Sequence, residues 1–169
     1  MRIVRVFRWL LFLALAGFAA LLLNGWARNN PEDLPWTRLD LTQPVGAFTG
    51  RKLVALGREP QQCRALLGRA GVRFQALPPR RASDRCGYDD AIRFGSGGAL
   101  GIAYSPSDLA AACPVAAALA LWEWHVVQPA ALKHLGSRVA SIDHFGSYSC
   151  RRLYGRSEGG WSEHATANA

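Results

Sequence analysis

The most chemically informative residue of the sequence is a histidine near its C-terminal end. His164 lies in a short Ser162-Glu163-His164 frame among small residues, soon after the segment Tyr148-Ser149-Cys150-Arg151. Small residues let a backbone approach a ligand closely, and a neutral imidazole is the commonest protein ligand for a transition metal. His164 is therefore a candidate metal ligand. The alternative is a surface histidine that only makes hydrogen bonds.

Composition limits the classes of protein to which the chain can belong. Half of its 169 residues are hydrophobic, so a folded core is expected. It has 20 Lys and Arg residues against 12 Asp and Glu, a net charge of +8. Arg2, Arg5 and Arg8 precede an apolar run, and the other basic residues form no stripe. Nucleic-acid binding is therefore not predicted, whereas weak attraction to an anionic envelope polymer is compatible with the charge.

Residues 9–26 form an apolar run of about 18 residues, bracketed by Trp9 and Trp26. A helix of this length reaches the lower limit needed to cross a bilayer core, and the preceding arginines predict a cytoplasmic N-terminus. We predict a basic tail at residues 1–8 and an uncleaved signal anchor at residues 9–26. A cleaved signal peptide is the alternative, because residues 25–27 have a small-x-small pattern. Either segment exports the rest of the chain.

Four cysteines are spread over the exported part without a Cys-x-x-Cys pair: Cys63, Cys86, Cys113 and Cys150. A zinc knuckle is therefore not expected, and an even number in an oxidising compartment indicates two disulfides. The sequence does not choose among the possible pairings; proximity along the chain favours Cys63–Cys86 with Cys113–Cys150. Four buried free thiols are the alternative.

Residues 27–59 are predicted to form a juxtamembrane linker and arm, and residues 60–169 the domain itself. The polar, Pro-containing start of the linker is expected to tether the domain, and residues 44–50 to pack on it. Within the domain we predict a helix at residues 61–71, a strand from Val72, and a loop at residues 78–90. Residues 91–104 are predicted to form a β-hairpin around Gly95-Ser96-Gly97-Gly98.

The clearest helix covers residues 113–127. Its apolar stripe of Leu119, Trp122 and Val126 is predicted to face the core. Glu123 and His125 lie off that stripe and are expected to face solvent.

Pro129 is expected to end that helix and to begin a second, short one. A strand over residues 137–145 should follow. Asp143 and His144 would then point to opposite faces of the strand, which argues against a Ser–His–Asp triad built from them.

Six segments resemble, in order, motifs of the bacterial extensin-like C-terminal domain family. They are Cys63-Arg64-Ala65-Leu66-Leu67, Cys86-Gly87-Tyr88-Asp89-Asp90, Cys113-Pro114-Val115-Ala116-Ala117-Ala118-Leu119, Val127-Gln128-Pro129-Ala130, Gly146-Ser147-Tyr148-Ser149-Cys150-Arg151 and Ser162-Glu163-His164-Ala165-Thr166. The resemblance covers about residues 60–169. It implies an α+β domain, with helices packed on an antiparallel sheet, similar to zinc D-alanyl-D-alanine carboxypeptidases of the Hedgehog/DD-peptidase fold.

The resemblance also implies roles for two residues. In those peptidases a Ser-x-His-x-x-Gly-x-Ala-x-Asp motif supplies two zinc ligands, and an upstream arginine binds the substrate carboxylate. By resemblance His164 is the first zinc ligand and Arg151 the carboxylate-binding residue. A guanidinium can pair with a terminal carboxylate through two hydrogen bonds, and a three-ligand zinc leaves a position for an activated water.

The chain departs from that motif in two places. Ala167 stands where the motif has glycine, so a positive φ there would be strained. The motif aspartate would fall beyond Ala169, which leads us to expect that the domain is incomplete here and continues in a longer natural protein.

Two functions from different classes follow. The first is a membrane-anchored, periplasm-facing zinc peptidase of the inner membrane that acts on peptidoglycan peptides once the chain is complete. The second is a non-catalytic module of the same fold that binds or organises the cell envelope.

Overall fold

The computed structural model describes residues 2–168. It begins with helix α1 (Arg2–Asn29), which has no buried residue. Among the described residues α1 is the one helix long and apolar enough to cross a membrane. The helix includes the predicted span of residues 9–26 and extends it at both ends.

The segment after α1 is folded against the domain rather than free. It contains a 3₁₀ turn (Pro31–Asp33) and helix α2 (Thr49–Leu56). Leu39, Leu41 and Leu56 belong to the same buried cluster as residues of the domain helices. The supposed tether is therefore part of the core.

Within the described residues, the rest of the domain contains three α-helices, two 3₁₀ turns (Leu153–Gly155 and Glu163–Thr166) and seven strands. The helices are α3 (Pro60–Arg69), α4 (Cys113–Trp122) and α5 (Gln128–Leu135); the strands are β1 (Val72–Ala76), β2 (Arg80–Ser83), β3 (Cys86–Tyr88), β4 (Ala91–Gly98), β5 (Ala103–Ser105), β6 (Ala110–Ala112) and β7 (Ser141–Asp143). The main sheet has the antiparallel order β1-β4-β6. Buried residues of α3 and α4 share the core with Val72 and Ile92 of this sheet. The predicted α+β class is confirmed.

The predicted hairpin over residues 91–104 is wrong. β4 continues through the glycines beside β1, with Val72 opposite Gly98, while β5 pairs in parallel with β7. Gly97 and Gly98 have positive φ, and a Cβ at Gly98 would lie 2.7 Å from the carbonyl oxygen of Gly71. The glycines thus permit close approach of two strands instead of closing a turn.

The predicted loop over residues 78–90 is a second small sheet. β2 and β3 form an antiparallel hairpin with Arg80 opposite Tyr88. All four residues of β2 are exposed, so no apolar alternation marks this strand in the sequence. Gly87 is required for the pairing, because a Cβ there would lie 2.0 Å from the carbonyl oxygen of Arg80.

The predicted core stripe of the long helix is also wrong. Trp122 and Val126 are 43% and 48% exposed. The buried residues of α4 are Cys113, Ala116, Ala117, Ala120 and Leu121, and all of them except Leu121 are small. Alanines allow neighbouring elements to approach closely, so the face with the largest side chains is not the one that packs.

Glu123 and His125 do not face solvent as predicted. Glu123 is 1% exposed, and its Oε1 accepts hydrogen bonds from the backbone N–H groups of Gly101, at 2.5 Å, and Ile102, at 3.2 Å. The Nε2 atom of His125 lies 3.0 Å from the carbonyl oxygen of Leu41. Both side chains attach the helix to distant segments.

Pro129 does not separate two helices. A π turn (Glu123–Val127) joins α4 directly to α5, and the N–H of Gln128 bonds to the carbonyl of Glu123. Such a turn changes the rotational phase of the helix beyond Glu123. Glu123 itself follows Ala116 by seven residues and Ala120 by three, so it lies on the buried alanine face of α4, whereas the opposite stripe was predicted to face the core. Pro129 lies in the first turn of α5, where its missing donor costs little. Of the strand predicted over residues 137–145, only β7 forms.

The cysteines form two disulfides, as predicted, but not with the pairing favoured by proximity. Cys63 is bonded to Cys113, and Cys86 to Cys150. The first bond joins α3 to the start of α4 inside the core, and the second joins β3 to the segment that carries Arg151. The pairing follows the packing of elements that are distant along the chain, which the intervals between cysteines do not reveal.

Candidate functional site

The two predicted site residues lie on chain segments that run side by side. The N–H of Ser149 donates to the carbonyl of His164 at 2.8 Å, and the N–H of Ser162 donates to the carbonyl of Arg151 at 3.2 Å. Arg152 and Trp161 form an antiparallel bridge between the same segments. Residues 147–152 and 161–167, which we call the paired segments, therefore bring Arg151 and His164 into one region.

Three links hold the paired segments to the rest of the domain. The Cys86–Cys150 disulfide connects them to β3. The hydroxyl of Ser147 donates to the carbonyl of Ala110, and the N–H of Ala112 donates to the carbonyl of Ala167 at 2.9 Å. The region is thus supported by covalent and hydrogen bonds on both sides.

The imidazole of His164 has a defined orientation. Its Nδ1 lies 3.1 Å from the carbonyl oxygen of Ser147. A carbonyl only accepts, so Nδ1 must carry the proton, and in the neutral ring Nε2 then presents a lone pair. The side chain of Ser162 accepts a hydrogen bond from the backbone N–H of His164 at 3.3 Å. A carbonyl bonded to the far nitrogen is typical of metal-ligating histidines.

Arg151 and its neighbour Arg152 differ in their contacts. Arg151 is exposed, and its side chain has no ion-pair or hydrogen-bond partner within residues 2–168. Arg152 instead lies over the ring of Trp161 at 4.7 Å and donates to the carbonyl of Gly159. Of the two guanidinium groups, Arg151 is therefore the one available to a ligand.

A zinc ion would find one suitable ligand here but not a complete set. His164 presents an imidazole nitrogen, yet the part of the chain that the structure describes contains no group of three His, Cys, Asp or Glu side chains able to hold a metal. All four cysteines are oxidised. A catalytic zinc needs three protein ligands, so residues 2–168 do not fit the ion by themselves and we derive no step through it.

Ala167 has the strained backbone that its place in the motif suggested. Its φ is +58°, in the left-handed region where a Cβ costs about 1–2 kcal/mol. Its side chain is fully buried. The turn keeps the shape that glycine would favour, and packing around the methyl group offsets part of the strain.

Two of the cavities that adjoin the paired segments are lined by residues of the β2–β3 hairpin and by basic or aromatic side chains, and neither was predicted from the sequence. The first, about 340 Å³, lies between the β2–β3 hairpin and residues 161–166. The second, about 590 Å³, is bordered by Arg80, Arg93, Tyr88 and Tyr148. Neither Arg151 nor His164 lines them. The basic and aromatic residues that line these cavities come from separate elements, so no local pattern in the sequence predicts either cavity.

A buried polar cluster beside β5 serves the fold. Burial, and secondarily the charge of Glu123, raise the pKa of Tyr104 to about 12. The buried Tyr104 hydroxyl has no hydrogen-bond partner among the described residues, and its ring stacks on Phe94 with centroids 5.1 Å apart. Tyr104 therefore remains protonated at neutral pH and has no proton acceptor, which makes it unsuited to acid–base chemistry.

Comparison with known proteins identifies a family for most of the chain. A family model described as "Extensin-like protein C-terminus" matches residues 61–169. This match confirms the resemblance drawn from the six motifs. No curated protein and no solved structure matches the chain significantly. The similarity to zinc carboxypeptidases and the continuation of the protein past Ala169 stay predictions.

Proposed function

Because the chain belongs to the family defined by the extensin-like protein C-terminus, we propose that it is an envelope protein of the inner membrane whose periplasmic domain binds carboxylate-ended peptides of peptidoglycan. Arg151 is the residue that binds the carboxylate. The observation that carries this proposal is the exposed guanidinium of Arg151, unpartnered among the described residues and placed beside His164 by the paired segments.

The topology in this proposal rests on two features. α1 is long enough to cross the bilayer, and Arg2, Arg5 and Arg8 favour a cytoplasmic N-terminus. Both disulfides lie in the part that α1 would leave outside the cytoplasm, where oxidation is favoured. Arg151 would meet the peptide as a planar, permanently charged donor, which suits bidentate binding of a terminal carboxylate.

Binding to a synthetic pentapeptide ending in D-Ala-D-Ala tests this proposal. The full chain in detergent micelles should bind the free acid at least about tenfold more tightly than the C-terminal amide, because the amide loses a charge-assisted hydrogen-bond pair. Arg151→Gln should abolish that preference. Arg156→Gln, which removes an exposed arginine placed over the ring of Tyr154, is the matched control. Equal affinity of the wild-type chain for acid and amide would refute the proposal.

A second candidate function is zinc-dependent hydrolysis of the same peptides, with His164 as one ligand of the ion. It is favoured by the contact between His164 Nδ1 and the Ser147 carbonyl, which leaves Nε2 available. The remaining ligands would have to come from outside the described residues.

Metal content of the protein purified from its native membrane distinguishes the two functions. About one zinc per chain, lost in His164→Ala and kept in His134→Ala, would support the peptidase. His134 is an exposed residue in the last turn of α5, so its substitution controls for the removal of an imidazole. Zinc content unaffected by His164→Ala would eliminate the peptidase and leave the binding function.

A further inference from the structure

The cavity of about 590 Å³ beside the paired segments has features of a ligand site. Arg80 from β2, Arg93 from β4 and Tyr148 from the paired segments all line it. Tyr148 directly follows Ser147, whose carbonyl orients His164. The cavity is therefore continuous with the region that carries the proposed function, although it uses different side chains.

The charges in this cavity are unbalanced. Neither Arg80 nor Arg93 has an ion pair in the part of the chain that the structure describes, where the ion pairs are Lys52–Glu32 and Arg81–Asp89. Asp108 is the one acidic side chain along the wall, and it lies beyond ion-pair distance of both arginines. Two guanidinium groups facing one cavity favour an anion.

Hydrogen-bond donors in the wall also lack acceptors. The Nε atom of Arg93 and the hydroxyl of Tyr148 are buried and make no hydrogen bond within residues 2–168. Buried polar groups in proteins nearly always have a partner, so such exceptions call for a bound water, ion or ligand. An anion with acceptor oxygens would supply what these donors lack.

Aromatic rings give the cavity a fixed form. The guanidinium of Arg80 lies 4.6 Å from the ring centroid of Tyr148, and the Tyr148 and Tyr88 rings meet edge to face at 5.2 Å. His144 cannot add a free nitrogen, because Nε2 bonds to the Pro106 carbonyl at 2.5 Å and Nδ1 accepts from the Gly146 N–H at 2.9 Å. The contact with the Tyr148 ring holds the Arg80 guanidinium in place before any ligand binds.

From these observations we infer that this cavity, which we call the Arg80–Arg93 subsite, binds a second carboxylate of the same envelope peptide, one within the peptide rather than at its C-terminus. The inference rests on the proposed function for the identity of the peptide and adds a site for its interior. A peptide side-chain carboxylate suits the planar guanidinium donors, and the cavity of about 590 Å³ has room for it. A phosphate group of another envelope polymer would satisfy the same charges and is distinguished below.

The test uses two synthetic stem peptides that both end in a C-terminal amide, so that Arg151 has no carboxylate to bind. One carries a free D-Glu carboxylate and the other has D-isoglutamine at that position. The full chain in detergent micelles is titrated with each peptide by calorimetry. We expect the D-Glu peptide to bind at least about tenfold more tightly, as one charge-assisted interaction would give.

Arg80→Gln and Arg93→Gln should each remove most of that preference, whereas Arg73→Gln on the neighbouring strand β1, outside the cavity, should keep it. Arg80 is exposed, so its substitution leaves the fold intact, and Arg93→Lys retains the charge if Arg93→Gln unfolds. Arg151→Gln should have no effect with these peptides. The subsite and the proposed function can therefore fail independently. The subsite is tested with the two amidated peptides, whereas the proposed function is tested by comparing the free C-terminal acid with its amide.

Two results would overturn the inference. One is equal affinity for the two amidated peptides. The other is a combination of two observations: acetate displaces neither peptide from the subsite, and inorganic phosphate binds to the subsite in a manner that depends on Arg80 and Arg93. That combination would assign the cavity to a phosphate-bearing polymer instead.

Discussion

The ion pair between Lys52 and Glu32 holds the segment after α1 rigidly against the domain. The Nζ of Lys52 lies 3.0 Å from Glu32 Oε2, and the two side chains are only 9% and 3% exposed. Nζ also donates to the carbonyl of Pro31 at 3.0 Å and to the hydroxyl of Thr37 at 2.8 Å. We predict that Lys52→Met leaves a buried, uncompensated carboxylate and strongly destabilises the domain.

The size of the effect follows from the burial. Removing one partner of a buried ion pair costs about 3–5 kcal/mol of unfolding free energy, because Glu32 would keep only the N–H of Asp40, at 2.9 Å, and a long contact of 3.5 Å with the Thr49 hydroxyl. For a protein of this size the change lowers Tm by about 10 °C. The double variant Lys52→Met/Glu32→Gln should recover about 2 kcal/mol, since the orphaned charge is gone.

Thermal and urea unfolding of the full chain in detergent micelles, followed by tryptophan fluorescence, measures these differences. The chain has one other lysine, Lys133, exposed at the end of α5, and Lys133→Met should change stability by less than about 0.5 kcal/mol. If Lys52→Met behaved like Lys133→Met, or if the double-mutant cycle gave no coupling energy, the buried pair described here would be refuted and residues 31–56 would act as a loose tether.

Three further predictions concern the domain. Tyr104→Phe should reduce the loss of stability between about pH 10 and 12. The pKa of Tyr104 is raised to about 12 in the folded state, so over this range the unfolded chain ionises at Tyr104 while the native state does not, and folding is disfavoured. Urea unfolding midpoints across that pH range measure the difference. Glu123→Ala should destabilise the domain by about 3 kcal/mol, because it leaves the buried N–H of Ile102 and the part-buried N–H of Gly101 without their acceptor. Glu158→Ala, at an exposed position, should be near neutral in the same urea experiment. Non-reducing peptide mapping should recover Cys63 linked to Cys113, and recovery of Cys63 linked to Cys86 would contradict the fold. Replacing both Cys63 and Cys113 by alanine should lower the unfolding free energy by about 4 kcal/mol, because the disulfide closes a loop of 50 residues.

The junction with α1 has a functional consequence. α1 ends at Asn29, and the 3₁₀ turn that holds Glu32 begins at Pro31. Only Asn30 separates α1 from this turn, so the domain follows directly after the C-terminal end of α1. If α1 crosses the inner membrane as proposed, the domain can reach only peptides close to the bilayer surface.

Local signals in the sequence identified several elements correctly. The apolar run marked α1, and the helices predicted at residues 61–71 and from residue 113 correspond to α3 and α4. The signals that predict such elements act within a few residues of the chain. That is why a single sequence reveals them.

The candidate site was predicted only in part for the same reason. The segments that carry Arg151 and His164 are linked by family motifs, and the structure places them side by side. Arg80, Arg93 and Tyr148 carry no joint signal, since they come from a hairpin, a central strand and an irregular segment. Their convergence depends on how those elements pack.

By itself the sequence determined the family of the domain, the long apolar helix that precedes it and the presence of disulfides, because composition and short motifs encode these properties. The tertiary structure alone decided that Cys63 pairs with Cys113, that Glu123 is buried behind a π turn, and that the supposed tether is part of the core. These facts depend on contacts between residues far apart along the chain. Such contacts are selected by close packing and by the need to satisfy buried polar groups, which no local pattern records.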